Sequence, residues 1–308
     1  MIVKMNKITL LGMDYQREAL TKTLMELGAV EISEVIADDY SELVENPKVQ
    51  EELSRIETEL AEVDSSLSCL KKYSPVKKQL FKNRRDVTVS EFNKVIKNIG
   101  RVRDMVNEIL QKEEHLVSLR SEENRLNNLY ISLLPWKELN APLEYSGTKK
   151  TVFQYGTIPS INDWELIQSE VSEKFPDAYI ERINNDKDQH YLFFIVHKES
   201  EQEFLSYLQS KGYNRVTFSN LTGTVAYNMD RISMRIEEIS AEREKTIDNI
   251  KDIGKDRKDL EILYDWLLME KGRLEATERI IKTKKVFLIT GWVPERYAME
   301  VKKIIESK

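Results

Sequence analysis

Three histidines, one cysteine and a large stock of carboxylates are the side chains that could hold a metal or move a proton. Zinc sites gather Cys, His and carboxylate ligands at short, recognisable spacings. His190 and His197 stand seven apart in a strand-like stretch and so point to opposite faces. His115 is remote in sequence, and Cys69 has no second thiol to pair with. No metal constellation and no internal disulfide can be assembled, and a lone cysteine suits a reducing compartment. Asp38-Asp39, Glu51-Glu52 and Glu237-Glu238 sit in polar helix and loop sequence, where solvated faces are the simpler reading than acid–base pairs. A triphosphate loop needs paired glycines, then Lys and a hydroxyl residue. Gly147-Thr-Lys-Lys and Gly254-Lys255 lack the paired glycine and the Ser or Thr. No Ser/His/Asp arrangement stands out. The expectation is a chain with no catalytic residue, no cofactor and no metal.

The 308 residues carry 53 acidic and 47 basic side chains, a net charge of −6. That length allows two or three domains with a real core. The acidic excess argues against a nucleic-acid surface, which needs clustered Lys and Arg. The first residues are too polar for a signal peptide. No apolar stretch approaches the ~20 residues that span a bilayer; the longest, 191–196 and 286–289, are strand-sized. The chain reads as soluble as given.

Residues 6–35 read strand–helix–strand, with Asp14 as helix cap, Gly28 as left-handed stop and a second strand over 29–35. Asn46-Pro47 opens a long helix. Leu53, Ile56, Leu60, Val63, Leu67 and Leu70 then recur in three–four steps, a heptad seam. Cys69 falls between seam positions, so an exposed helix thiol is expected. Ser74-Pro75 ends the seam, and the basic stretch up to Val89 reads as loop or irregular helix. Ser90 can cap a second helix, where Phe92, Val95, Ile99, Val102, Val106 and Ile109 resume the rhythm. Leu119, Leu126 and Leu133 keep a seven-residue step to Pro135.

Residues 150–218 have the order βαββαβ, a split-βαβ pattern. Asn162 with Glu165, and Ser200 with Glu203, look like capping boxes. A third helical arm covers about 225–282. Ile232, Ile239, Thr246, Ile253, Leu260, Leu267, Leu274 and Ile281 are each seven apart with no proline between them. One helix of about 58 residues would span roughly 87 Å. Arg243, Arg257 and Lys271 occupy the alternate seam positions. Arg243, Arg257 and Thr246 either fix register or snorkel to water. A strand at 286–289, a turn and a helix over 295–307 close the chain.

The strand-to-helix joints echo one another. Phe287-Leu-Ile-Thr-Gly-Trp-Val-Pro294 lines up with Val152-Phe-Gln-Tyr-Gly-Thr-Ile-Pro159, and 8–12 repeats the strand and glycine. Glycine would ease the exit from the strand and proline would preset the helix entry. The fold expected is α+β: two ferredoxin-like α/β lobes joined by a long antiparallel helical (coiled-coil) stem. The proximal lobe is split, 1–40 plus 284–308; the stem is 41–140 and 222–283; the distal lobe is 141–221. For this the chain must travel out and back, bringing its first and last segments into one body. Strands 191–196 and 286–289 do not alternate apolar with polar, so both faces are expected to be covered. Either the lobe's own segments or a partner protein cover the second face, which makes Phe193 and Phe194 the candidate partner-binding residues.

Met5-Asn-Lys-Ile-Thr-Leu-Leu-Gly-Met13, Leu24-Met-Glu-Leu-Gly-Ala-Val-Glu-Ile32 and above all Phe287-Leu-Ile-Thr-Gly-Trp-Val-Pro294 resemble subunit I (subunit a) of V/A-type rotary ATPases. The match covers essentially the whole chain, and the order of the motifs is more specific than any one of them. The resemblance implies the N-terminal cytoplasmic domain of a non-catalytic stator subunit. Its partners would be the peripheral-stalk E/G heterodimers and the membrane domain of the same subunit. It implies no nucleic acid and an elongated monomer in isolation. The ion pathway of such subunits lies in a C-terminal membrane domain with no counterpart in these residues, so no ion-translocating residue carries over. The competing readings are a ligand-sensing or enzymatic protein, since ferredoxin-like lobes often bind metabolites, and a generic coiled-coil tether.

Overall fold

The computed structural model describes residues 3–33, 47–75, 86–282 and 285–306. In chain order these form β1 (Met5–Met13), α1 (Arg17–Leu27), β2 (Glu31–Ser33), α2 (Pro47–Tyr73), α3 (Val89–Lys97) and α4 (Ile99–Leu133). Then come β3 (Thr151–Pro159), α5 (Trp164–Lys174), β4 (Ala178–Asn185), β5 (Gln189–His197), α6 (Glu201–Ser210) and β6 (Asn214–Val216). α7 (Val225–Ile253), α8 (Arg257–Glu278), β7 (Ile281–Lys282), β8 (Val286–Pro294) and α9 (Glu295–Glu306) complete the chain. The molecule mixes helices with two antiparallel sheets and divides into two units, residues 1–114 with 247–308 and residues 115–246.

In the first unit β8 is the middle strand. β1 pairs with it antiparallel from Met5↔Pro294 to Met13↔Val286, so the first and last strands share one sheet. β2 and β7 take the other side of β8, opposite Thr290–Trp292 and Phe287–Leu288 respectively. One face is buried, with Phe287, Ile289 and Val293 packed against Leu20 and Leu24 of α1 and Val301 of α9. α2 lies against α8. Gln50 pairs with Glu278 and Glu57 with Lys271, so partner numbers fall as α2 rises and the two helices are antiparallel. α4 runs alongside α2 in the same direction: Arg103 meets Glu59, and the Ser66 hydroxyl reaches the Val106 carbonyl at 3.4 Å.

The second unit has the sheet order β4-β5-β3-β6, antiparallel throughout. α5 and α6 cover one face, where Ile167, Val171, Phe204 and Leu208 meet Ile180, Leu192, Phe194 and Val196. Within this unit α4 and α7 are antiparallel too, with His115 opposite Glu242 and Glu122 opposite Arg235.

Several local expectations change. Asp14 does not cap α1. It opens a 3₁₀ turn, Asp14–Gln16, and its carboxylate lies 3.2 Å from Arg17 Nε. Gly28 does stop the helix, at φ 59°, its N–H shared by the Leu24 and Met25 carbonyls. Thr88, not Ser90, caps α3 in a reciprocal box with Glu91. Asp163, not Asn162, caps α5, because the Asn162 amide is drawn away to donate to the Pro159 and Lys211 carbonyls. Ser200 is positioned at a helix start but makes no side-chain cap bond. Asn46 and most of 76–88 lie outside the described residues, as do 34–35 of the second strand.

The third arm is not one helix. α7 and α8 are separated by a 3₁₀ turn at Gly254–Asp256. A Cβ at Gly254 would stand 3.1 Å from Ser74 Oγ and 3.3 Å from Leu70, so the break is where the end of α2 packs in. The arm also ends early: α8 stops at Glu278, and Ile281 belongs to β7. Cys69 is buried, 1% exposed, contrary to expectation. α2 has neighbours on more than one side, and a helix inside a bundle buries a wider stripe than a two-position seam. Ser66 goes under with it.

Candidate functional site

The side chains with chemical potential are dispersed. His190 is buried, its Nε2 3.0 Å from the Asn162 carbonyl and its ring against Trp164. His197 lies half-exposed near Glu199, and His115 faces Glu242 across two helices. Among the described residues no three His, Cys, Asp or Glu side chains converge as a metal site. Gly147 sits in a tight turn tied by Thr148 and Thr151, and Gly254 in the 3₁₀ break. The described residues of the first unit line open clefts. One, about 620 Å³, lies between α1 and α8 and is lined by Glu18, Lys22, Met25, Met269 and Arg273. Another, about 360 Å³, is lined by Arg55, Glu59, Glu62 and Arg103 with Val63 and Leu263. Each mixes charges of both signs.

The predicted partner-binding pair splits across β5. Successive side chains point to opposite faces, so Phe194 enters the helix-side core while Phe193 faces the other way. Phe194 is 0% exposed, its ring edge-on to Phe204 at 5.0 Å and 5.7 Å from Tyr213, and offers no surface to a partner. Phe193 is half-buried, stacked on Phe153 at 5.2 Å and 6.0 Å from Tyr179. The second face is closed largely by the chain itself. Trp136 meets Tyr155, Tyr191 and Phe218 edge-on at 5.3–5.9 Å. Leu139, Leu143, Val225 and Met229 join the same core. Tyr155 donates its hydroxyl to the Pro142 carbonyl at 3.0 Å, tying β3 to this cover. Burial pushes the Tyr155 phenol up to about 12. The cover thins toward the edge strand β4, where Tyr179 stays 54% exposed beside Phe193. Sequence reasoning missed Trp136, although a tryptophan just after the Pro135 helix break was the available signal.

The polar seam positions find acids. Arg243 reaches Glu123 on α4 at 2.7 Å, Lys271 reaches Glu57 on α2 at 2.7 Å, and Arg257 pairs within its own helix with Glu261. Thr246 is buried and satisfied locally by the Glu242 carbonyl. Two of the four thus tie helices together, as a register device would. Arg235 grips Glu122 through two N–H groups, which holds that carboxyl below its ordinary range.

The repeat glycines lie within strands rather than at their exits. A Cβ at Gly156 would stand 2.0 Å from the Tyr213 ring, and one at Gly291 2.4 Å from the Glu31 carbonyl oxygen. Close approach is their shared requirement. Pro294 leads directly into α9, but α5 begins only at Trp164, beyond Pro159.

No family model matches the chain. It is 26% identical to A-type ATP synthase subunit I of Methanocaldococcus jannaschii over 325 aligned positions, 99% of this chain and 47% of that protein. A second A-type ATP synthase subunit I, of Methanothermobacter thermautotrophicus, is 27% identical over 144 residues, 45% of this chain and 22% of that protein. The chain therefore spans about half or less of the curated relatives it matches. Among solved structures it is similar in fold to the cytoplasmic N-terminal domain of subunit I, homolog of subunit a, of V-ATPase. The TM-score is 0.53 and the identity 14%, covering 98% of this chain and 97% of that one. No described helix is long and apolar enough to cross a membrane.

Proposed function

Because the chain resembles subunit I of A-type ATP synthases over nearly its whole length, we propose that it is a non-catalytic brace in the stator of a rotary V/A-type ATPase. It anchors peripheral stalks, E/G heterodimers, to the membrane part that moves ions, and works at the cytoplasmic face of the membrane. The observation that carries this is the likeness along 99% of the chain. The return path supports it: β1 and β8 share nine paired positions, so the polypeptide goes out and comes back into one body. A brace must resist torque. Antiparallel helices tied by Glu57–Lys271, Glu122–Arg235 and Glu123–Arg243 resist sliding better than a single rod would.

The finer architecture belongs to the same proposal. Residues 141–221 are one ferredoxin-like lobe; the strand order β4-β5-β3-β6 with two helices on one face favours it. Residues 1–40 with 284–308 are the second lobe, and 41–140 with 222–283 the coiled-coil stem. Of the candidate pair, Phe193 with Tyr179 is retained as a partner contact at the β4 side of the distal sheet. A pull-down of the chain with the purified stalk heterodimer tests the proposal, and binding without ATP turnover is expected. No stalk binding together with a thermal shift on adding amino acids or nucleotides would replace the brace with a ligand sensor. An obligate parallel dimer in sedimentation would replace it with a tether.

A further inference from the structure

The two sheets are finished differently. In the second unit the face away from α5 and α6 is closed by Trp136, Leu139 and Leu143 with Val225 and Met229 of α7. The repeat aligns β8 with β3, so Leu288 and Thr290 correspond to Phe153 and Tyr155, which are buried under that cover. In the first unit the outward row of β8 is Val286, Leu288, Thr290 and Trp292, and its cross-strand partners are Met13, Leu11, Thr9 and Lys7. Leu11 is 72% exposed and Trp292 40%, with Met5 and Met13 also exposed. α8 does not close this face: its end, Ala276, packs with Ile280 into the opposite, helix-covered side of the sheet. Within this row Leu11, Met13 and Trp292 are exposed, while Val286, Leu288 and Thr290 are half-buried.

We propose that this outer face docks one amphipathic α-helix of a partner protein, as the start of α7, with Val225 and Met229 beside residues 134–143, covers the corresponding face of the other sheet. The proposal rests on the stator reading for the identity of the partner. Size favours a helix over a second copy. A nine-residue strand is about 30 Å long and three strands about 10–14 Å wide, so the face offers roughly 300–400 Å². A stable dimer needs about 800 Å² from each partner, whereas a helix of about five or six turns fills a strip of this size. Charge sets the chemistry at one end. Lys7 and Glu31 flank Trp292 in one cross-strand row, and neither has an ion-pair partner among the described residues. The fitting helix carries a Leu/Ile/Val stripe over Leu11 and Leu288, an acid reaching Lys7 and a base reaching Glu31.

The test titrates the whole chain with the purified stalk heterodimer. Leu11→Asp and Trp292→Ala are compared with wild type and with Ile161→Asp, a control at a 92%-exposed position of the other unit. Wild type and control should bind alike, and Leu11→Asp should weaken binding at least about tenfold, as losing a buried leucine implies. Leu11→Cys carrying a benzophenone maleimide should crosslink to the stalk; Cys69, 1% exposed, does not compete for the label. Stalk binding that both face variants leave intact, with no crosslink, overturns this face and spares the stator reading. A stalk that binds no form of the chain removes that reading and this proposal together. A wild-type dimer dissolved by Leu11→Asp overturns the helix in favour of self-packing.

Discussion

Adjacent phenylalanines in β5 should differ sharply in what their rings contribute. Phe194→Ala removes a ring that is 0% exposed and packed on Phe204 and Tyr213. Truncating a fully buried Phe costs about 3–5 kcal/mol, transfer and cavity combined. Phe193→Ala removes a half-buried ring stacked on Phe153. Half of the ~1.5–3 kcal/mol for full burial is about 1 kcal/mol, and one aromatic pair adds ~0.5–1.5. The expected loss at 193 is therefore about 2 kcal/mol, clearly below that at 194. Two units make a single two-state midpoint unsafe, so the readout must be local. Hydrogen exchange of the β5 amides under native conditions reports opening of this sheet. Trp164 fluorescence during urea unfolding reports the same core, since Trp164 packs with Phe194. Equal losses at the two positions, or the larger loss at 193, would refute the assignment of faces.

Five further outcomes are expected. Gly156→Ala should destabilise by about 1–3 kcal/mol, since its Cβ would meet the Tyr213 ring at 2.0 Å. Gly272→Ala in α8, with nothing within 4 Å, should stabilise by about 1 kcal/mol; native-state hydrogen exchange of the amides around each site checks both. Cys69 should resist alkylation at pH 8 until the protein unfolds, because burial, then Glu113, raises its thiol to about 11. Its folded pKa lies above the ordinary 9.0, so its contribution to stability is complete below pH 9 and lost as pH rises toward 11; a Cys69→Ser comparison of the unfolding transition of the first unit at pH 8 and 10.5 measures it. A double-mutant cycle on Glu57 and Lys271 should give a coupling of about 0.2–1 kcal/mol that fades in 1 M salt, the side chains being partly exposed.

Elements with strong local signals were legible in the amino-acid order. The Gly28 stop, the Ser74-Pro75 end of α2 and the unbroken apolar run of β5 depend on residues close in sequence, and each appears where expected. Caps were misplaced by one or two residues at Thr88 and Asp163, because several hydroxyl and amide residues compete at each start and tertiary hydrogen bonds decide among them. The break at Gly254 was hidden for a related reason. A seven-residue apolar spacing persists through it, and only the arrival of Ser74 and Leu70 shows why a side chain has no room there.

Of the candidate site, the unbroken apolar run marked β5 as covered on both faces, but no pattern in a single chain says what does the covering, and the fold sets Phe193 and Phe194, one candidate pair in the sequence, on opposite faces. Periodicity reports that a face is apolar, because that is set by the order of side chains along one element. It does not report which distant segment reaches that face. Trp136 over β3 and β5, the bare row of Leu11 and Trp292, and the burial of Cys69 all depend on which elements meet. Local order thus determined most of the elements and the resemblance to subunit I. Only long-range packing decided which sheet is closed by its own chain and which is left open, because contacts between remote residues exist only after the chain has folded back on itself.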